Sequence, residues 1–187
     1  MTTVRSLFSP LERERGARFL VAERDAGYAC TGEGGVLTLA HDLRRDGSRQ
    51  PVAGMRPIRV LLADESPGER RLIQAILDEL PLAVDLAWAD SGEGALAHFG
   101  NGGMNGFRHH PDVLLIDPVL PGLDGWEVIA RLRRDDDLAD LRIAVMAPQP
   151  SDYMVRRCRE LGVDAILEKP VTGTALDILL GRLANDR

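Results

Sequence analysis

Three acidic residues and the sole lysine stand where apolar runs of this chain end. Asp64-Glu65 follows the run 58–63, Asp117 follows 113–116, and Lys169 lies two residues beyond 165–167. Every other one of the 23 basic residues is arginine. A lysine kept in an arginine-rich composition points to a role for a compact point charge that a planar fork does not fill. Three carboxylates gathered closely repel one another unless a cation sits among them. Oxygen ligands with room for waters suit magnesium. A carboxylate beside a magnesium ion and an ammonium is equipped to accept a phosphoryl group: the cations neutralise its oxygens while the carboxylate attacks.

The elements that must position these residues follow from periodicity. Residues 58–63 form a run suited to a strand buried on both faces. Ser66-Pro67 then supplies an N-cap and a proline at the first helical position, and Leu72, Ile73, Ile76, Leu77 and Leu80 make one apolar stripe. Strands are predicted at 82–88, 113–116, 143–146 and 165–167, and helices at 91–99, 125–134, 151–161 and 172–184. Five strands alternating with five helices predict a doubly wound α/β fold with a parallel sheet. Ligand sites of such sheets lie beyond the carboxyl ends of the strands, where the acids and the lysine fall.

Composition narrows the function. Residues 1–56 carry nine Arg against seven acids, and 57–187 carry fourteen basic against twenty-two acidic groups, a net of −8. That acidic balance argues against nucleic acid as a partner and for a divalent cation or a basic protein surface. Cys30 and Cys158 lack the spacing of a zinc site or a disulfide framework. The apolar patch 19–22 is too short for a secretory signal, and no run reaches membrane-spanning length, so a cytoplasmic protein is expected. Residues 1–56 read as a flexible extension with one weak helix from Pro10 towards Gly27. Met55 stands directly before the first strand, so a translation start there is an equal reading. His109-His110, in a glycine-rich loop, reads as a solvated tip, and Arg131, Arg133 and Arg134 before three aspartates as a helix end.

Residues 57–187 resemble the receiver domain of bacterial two-component response regulators. The resemblance rests on Val-Leu-Leu-Ala-Asp-Glu-Ser-Pro at 60–67, Pro-Asp-Val-Leu-Leu-Ile-Asp-Pro-Val-Leu-Pro-Gly-Leu-Asp-Gly at 111–125 and Leu-Glu-Lys-Pro at 167–170. The 52 positions from Asp117 to Lys169 are similar to the family's spacing. It implies a flavodoxin-like sheet of five strands with five helices, Asp117 as phosphoacceptor and Lys169 as the phosphoryl contact. It implies Mg2+ held by Asp64, Glu65, Asp117 and the backbone carbonyl of Val119. The implied donor is a sensor histidine kinase or histidine phosphotransfer protein, and the implied output is contact with a downstream protein in a phosphorelay, not enzymatic turnover.

Two features depart from the family. The hydroxyl expected thirty positions after the phosphoacceptor is replaced by Ala147, and Pro148 follows, with no N–H to offer a phosphoryl group. The aromatic expected three positions before the lysine is replaced by Ile166. A gap shift would bring Ser151 nearer, against the resistance of Pro148 and Pro150. The chemistry of a receiver is expected intact and its usual relay degenerate, which leaves a phosphate-independent binding module as the alternative. An aspartate-nucleophile phosphohydrolase is disfavoured because the position of its second acid is Val119. A truncated transcription factor is disfavoured by the acidic charge and because no helix-turn-helix follows Leu183 before the chain ends, which predicts a single-domain regulator.

Overall fold

The computed structural model describes residues 20–22, 56–100 and 110–185. Five parallel strands form its centre: β2 (Ile58–Ala63), β3 (Val84–Ala89), β4 (Val113–Ile116), β5 (Arg142–Ala147) and β6 (Ala165–Glu168). They lie in the order β3-β2-β4-β5-β6, so the chain reverses its direction of winding after β3. This is the flavodoxin-like order, with its crevice between β2 and β4. The central strands are apolar on both faces because helices cover both; all four residues of β4 are fully buried.

Alternate side chains feed two cores. Leu61, Leu114, Ile143 and Ile166 pack with α2 (Gly92–Ala97), α3 (Gly125–Leu132) and α4 (Asp152–Glu160). Val60, Leu62, Leu115 and Leu167 pack with α1 (Pro67–Glu79) and α5 (Gly173–Asn185). Each helix start is fixed locally. Ser66, Ser91, Asp124 and Ser151 cap α1 to α4 by accepting the N–H of Glu69, Gly94, Trp126 and Met154. Thr172 accepts the N–H of Ala175. Each such cap is worth about 1 kcal/mol.

Three features differ from the sequence expectations. A sixth strand, β1 (Leu20–Ala22), pairs in parallel with β6, Leu20 facing Ala165 and Ala22 facing Leu167. It falls inside the stretch expected to be helical. Three consecutive apolar residues, one β-branched, suit an edge pairing better than a helix stripe. The rest of that helix, the flexible extension and the Met55 start lie outside the described residues. Strand β3 starts at Val84, two residues later than expected, and α2 and α3 end at Ala97 and Leu132, each two residues early. Finally, His110 is exposed as expected, but its ring also stacks on Phe99 with centroids 6.2 Å apart, and His109 lies outside the described residues. Cys158 is buried, which pushes its thiol up to about 12 and makes it an inert core residue. Among the described residues no helix is long and apolar enough to cross a membrane.

Candidate functional site

The parallel ladder continues one residue past three strands and sets the backbone of the site. Asp64 N–H donates to Ala89 O (3.0 Å), Asp117 N–H to Ala63 O (2.9 Å) and Lys169 N–H to Ala147 O (2.9 Å). Side chains on rigid strand ends are held more closely than side chains on loops. Their convergence is direct. Lys169 Nζ lies 2.6 Å from Asp64 Oδ2 and 2.5 Å from Asp117 Oδ2. The other oxygens are held by backbone: Asp64 Oδ1 accepts Ser66 N–H (2.8 Å) and Asp117 Oδ1 accepts Val119 N–H (2.7 Å). Asp64 is 2 % exposed. Burial works to lower the Lys169 pKa, but the hydrogen bonds and charges of Asp117 and Asp64 outweigh it and hold the ammonium above its ordinary range.

The remaining expected site residues sit less centrally. Glu65 is exposed at the β2–α1 junction. Val119 is exposed (74 %) on the loop after β4, which also carries Gly122 in the left-handed region. Gly125 N–H closes that loop on Pro118 O (3.1 Å), and a Cβ at Gly125 would lie 2.4 Å from Asp117 O, so only glycine fits. Ala147 and Ile166 are buried, and Pro148 is exposed. Ser151 caps α4, its oxygen accepting the Met154 N–H.

Sequence reasoning anticipated three gathered carboxylates. Among the described residues no group of three His, Cys, Asp or Glu side chains converges as a metal centre. Asp64 and Asp117 converge, with Lys169 between them, and Glu65 stands apart at the surface. Two oxygen-bearing acids and a carbonyl still fit magnesium, which keeps several waters and binds through one or two carboxylates.

Two further residues escaped the sequence reading. Ser66-x-x-Glu69 has the form of a capping box, in which the glutamate would return to the Ser66 N–H. That N–H is already taken by Asp64, so Glu69 turns elsewhere. Its carboxyl accepts the Val171 N–H, and its Oε1 is buried without a partner. Burial raises the Glu69 pKa, Lys169 opposes that rise, and the charges of Asp64 and Asp117 add to it. The second is Glu93 in the first turn of α2, whose Oε2 accepts the Leu123 N–H (3.0 Å) of the loop after β4. That bond and its own N–H hold its carboxyl below the ordinary range.

The response regulator receiver domain profile matches residues 60–180, well over half of the chain. This chain belongs to the receiver-domain family. The receiver is 35 % identical over 102 residues to the transcriptional regulatory protein AfsQ1 of Streptomyces coelicolor, covering 54 % of this chain and 44 % of that one. It is 28 % identical over 110 residues to the response regulator Rcp1 of Synechocystis, covering 59 % of this chain and 75 % of Rcp1. It therefore spans less than half the length of AfsQ1. Among solved structures the receiver superposes on the Mn(2+)-bound form of response regulator Rcp1 with a TM-score of 0.57 and 26 % identity, over 67 % of this chain and 91 % of that one.

Proposed function

We propose that this receiver accepts a phosphoryl group on Asp117 from a phosphohistidine of a sensor histidine kinase or histidine phosphotransfer protein. The observation that carries the reading is the single ammonium of Lys169 within hydrogen-bond reach of both Asp117 and Asp64. In the transfer, an Asp117 oxygen forms the new P–O bond as the P–N bond of the donor breaks, and the departing electron pair returns to the imidazole. Val119 N–H and Lys169 hold Asp117 for the attack. As negative charge shifts onto the phosphoryl oxygens, the Lys169 ammonium moves with it from carboxylate to phosphoryl.

Asp64, Asp117 and the Val119 carbonyl are the residues that would hold Mg2+, and the exposed Glu65 would have to turn inward from the surface to join them. A bound magnesium supplies charge neutralisation at the phosphoryl oxygens. The domain acts as a stoichiometric acceptor in the cytoplasm and signals by protein contacts. An apolar residue, Val119, two positions after Asp117 does not provide the second acid of a phosphohydrolase.

A second reading has a specific observation in its favour. Ala147 is a buried methyl where a hydroxyl would meet the phosphoryl group, and Pro148 carries no N–H. A domain lacking both serves as a binding module that works irrespective of phosphate. The deciding test is intact mass after incubation with Mg2+ and phosphoramidate, beside Asp117→Ala. One added phosphoryl group, absent in the variant, supports the acceptor reading. No adduct in the native protein supports the binding module.

A further inference from the structure

The loop that carries Asp117 and Val119 is clasped from outside by the start of α2. Glu93 Oε2 accepts the Leu123 N–H at 3.0 Å, and Gly92 N–H donates to Pro121 O at 3.4 Å. The fit leaves no spare space. A Cβ at Gly92 would fall 2.0 Å from Leu123 O, and one at Gly122 would fall 2.4 Å from the Glu93 carboxylate. On its inner side the same loop is tied by Val119 N–H to Asp117 Oδ1 and by Gly125 N–H to Pro118 O. Leu120, between them, is buried. The Val119 carbonyl therefore lies between an inner anchor on Asp117 and an outer anchor on Glu93.

We infer that Glu93 is a positioning residue of the phosphoacceptor loop, setting metal affinity by holding the segment that presents the Val119 carbonyl. The inference rests on the proposed function, since it takes that carbonyl as a metal ligand. The Glu93 carboxylate bonds to the Leu123 N–H and not to Asp117 or Lys169, so it acts only through the loop. Partners that orient metal ligands are commonly worth about 10–100-fold in affinity. An exposed carboxylate belongs at the lower end of that range.

The test is Mn2+ binding to the full chain, read as free-Mn2+ EPR signal, with Glu93→Ala, Glu93→Gln and Gly122→Ala. Glu93→Ala should weaken Mn2+ about tenfold. Glu93→Gln keeps an oxygen that accepts the Leu123 N–H and should stay within about threefold of native. Gly122→Ala pushes on the same carboxylate and should weaken Mn2+ too, with less than additive loss when combined with Glu93→Ala. In phosphoramidate uptake, Glu93→Ala should raise the Mg2+ concentration for half-maximal rate and leave the rate at saturating Mg2+ near native. Native affinity in Glu93→Ala, or equal losses in Ala and Gln, overturns the inference while leaving the proposed function standing. Failure of the native chain to bind Mn2+ or take up phosphoryl overturns the proposed function itself.

Discussion

The two ends of the sheet solve the same electrostatic problem in opposite ways. At the amino ends of the strands, Asp112 accepts Arg59 (2.8 Å), Arg56 (3.1 Å) and the Arg59 N–H (2.8 Å). Asp164 likewise accepts Arg133 (2.9 Å), Arg142 (3.1 Å) and the Ile143 N–H (2.8 Å). Each carboxylate there is met by two guanidinium groups and a backbone donor. At the carboxyl ends, two carboxylates share one ammonium, with Glu69 close enough to feel all three charges. One end is saturated and built to stay. The other is left short of positive charge, so it invites a cation and holds its lysine by pairs that a phosphoryl group can replace.

Arginine and lysine are distributed accordingly. Arg133 spreads its fork over three acceptors: Asp164, Leu141 O (2.8 Å) and Gly162 O (3.1 Å). No single ammonium reaches such a spread. Lys169, by contrast, concentrates one charge between two oxygens. Exchanging the two cations tests whether this contrast is real.

Lys169→Arg has the largest expected effect. The fork keeps the charge but cannot occupy the pocket between Asp64 and Asp117 as a point. Loss of one hydrogen bond to a charged group costs about 1.5–3 kcal/mol, so phosphoryl uptake from phosphoramidate should slow by about 10–100-fold. Thermal stability should stay near native. Uptake at the native rate would mean that the two ends differ in composition only.

The reverse exchange, Arg133→Lys, should do the opposite. It leaves Leu141 O, Gly162 O and one side of Asp164 to find new partners, at a cost of about 2 kcal/mol in urea unfolding. Phosphoryl uptake should be untouched, because the change lies at the far end of the strands. A slowed uptake at full stability would join the two ends and break the comparison.

The contrast also explains what could be read from the sequence. The carboxyl end was legible because ligand sites of a parallel sheet follow its strands, and the candidate residues Asp64, Asp117 and Lys169 do so within one residue of the ladder. The structural end was not. Arg133 read as part of a solvated helix end, yet its guanidinium is mostly buried and closes on Asp164, 31 positions later. Periodicity sees a residue's own element, whereas these ion pairs join loops distant in sequence. Glu93 was missed for the same reason, its partner Leu123 being 30 positions away. Glu69 was missed because a local pattern, the capping box, was overridden by Asp64 taking the N–H on which it depends. The strand β1 was missed because three residues are too few to show a period.

Ala147→Thr sharpens the comparison within the site. The position is buried, so the larger side chain should cost about 1–3 kcal/mol in stability. It should not produce a phosphorylation-dependent change in tryptophan fluorescence, because Pro148 still lacks an N–H for the phosphoryl group. A full fluorescence change in this single variant would show that the hydroxyl alone was missing and that the proline is harmless.

The smallest expected effect belongs to Glu69→Gln, and its sign discriminates between the two ends. Glu69 has its pKa raised, chiefly by burial, so ionising it works against the fold. For a group raised in the folded state, stability is fully present below the unfolded pKa and is lost as pH rises through the folded value. In metal-free buffer, Glu69→Gln should therefore match the native protein in acid and become the more stable of the two above the ordinary carboxylate range. Urea unfolding of both proteins from pH 4 to pH 8 reads the crossover directly. A glutamine variant less stable than native at neutral pH would make Glu69 an ordinary stabilising acid, and the shortage of positive charge at this end would be smaller than the geometry implies.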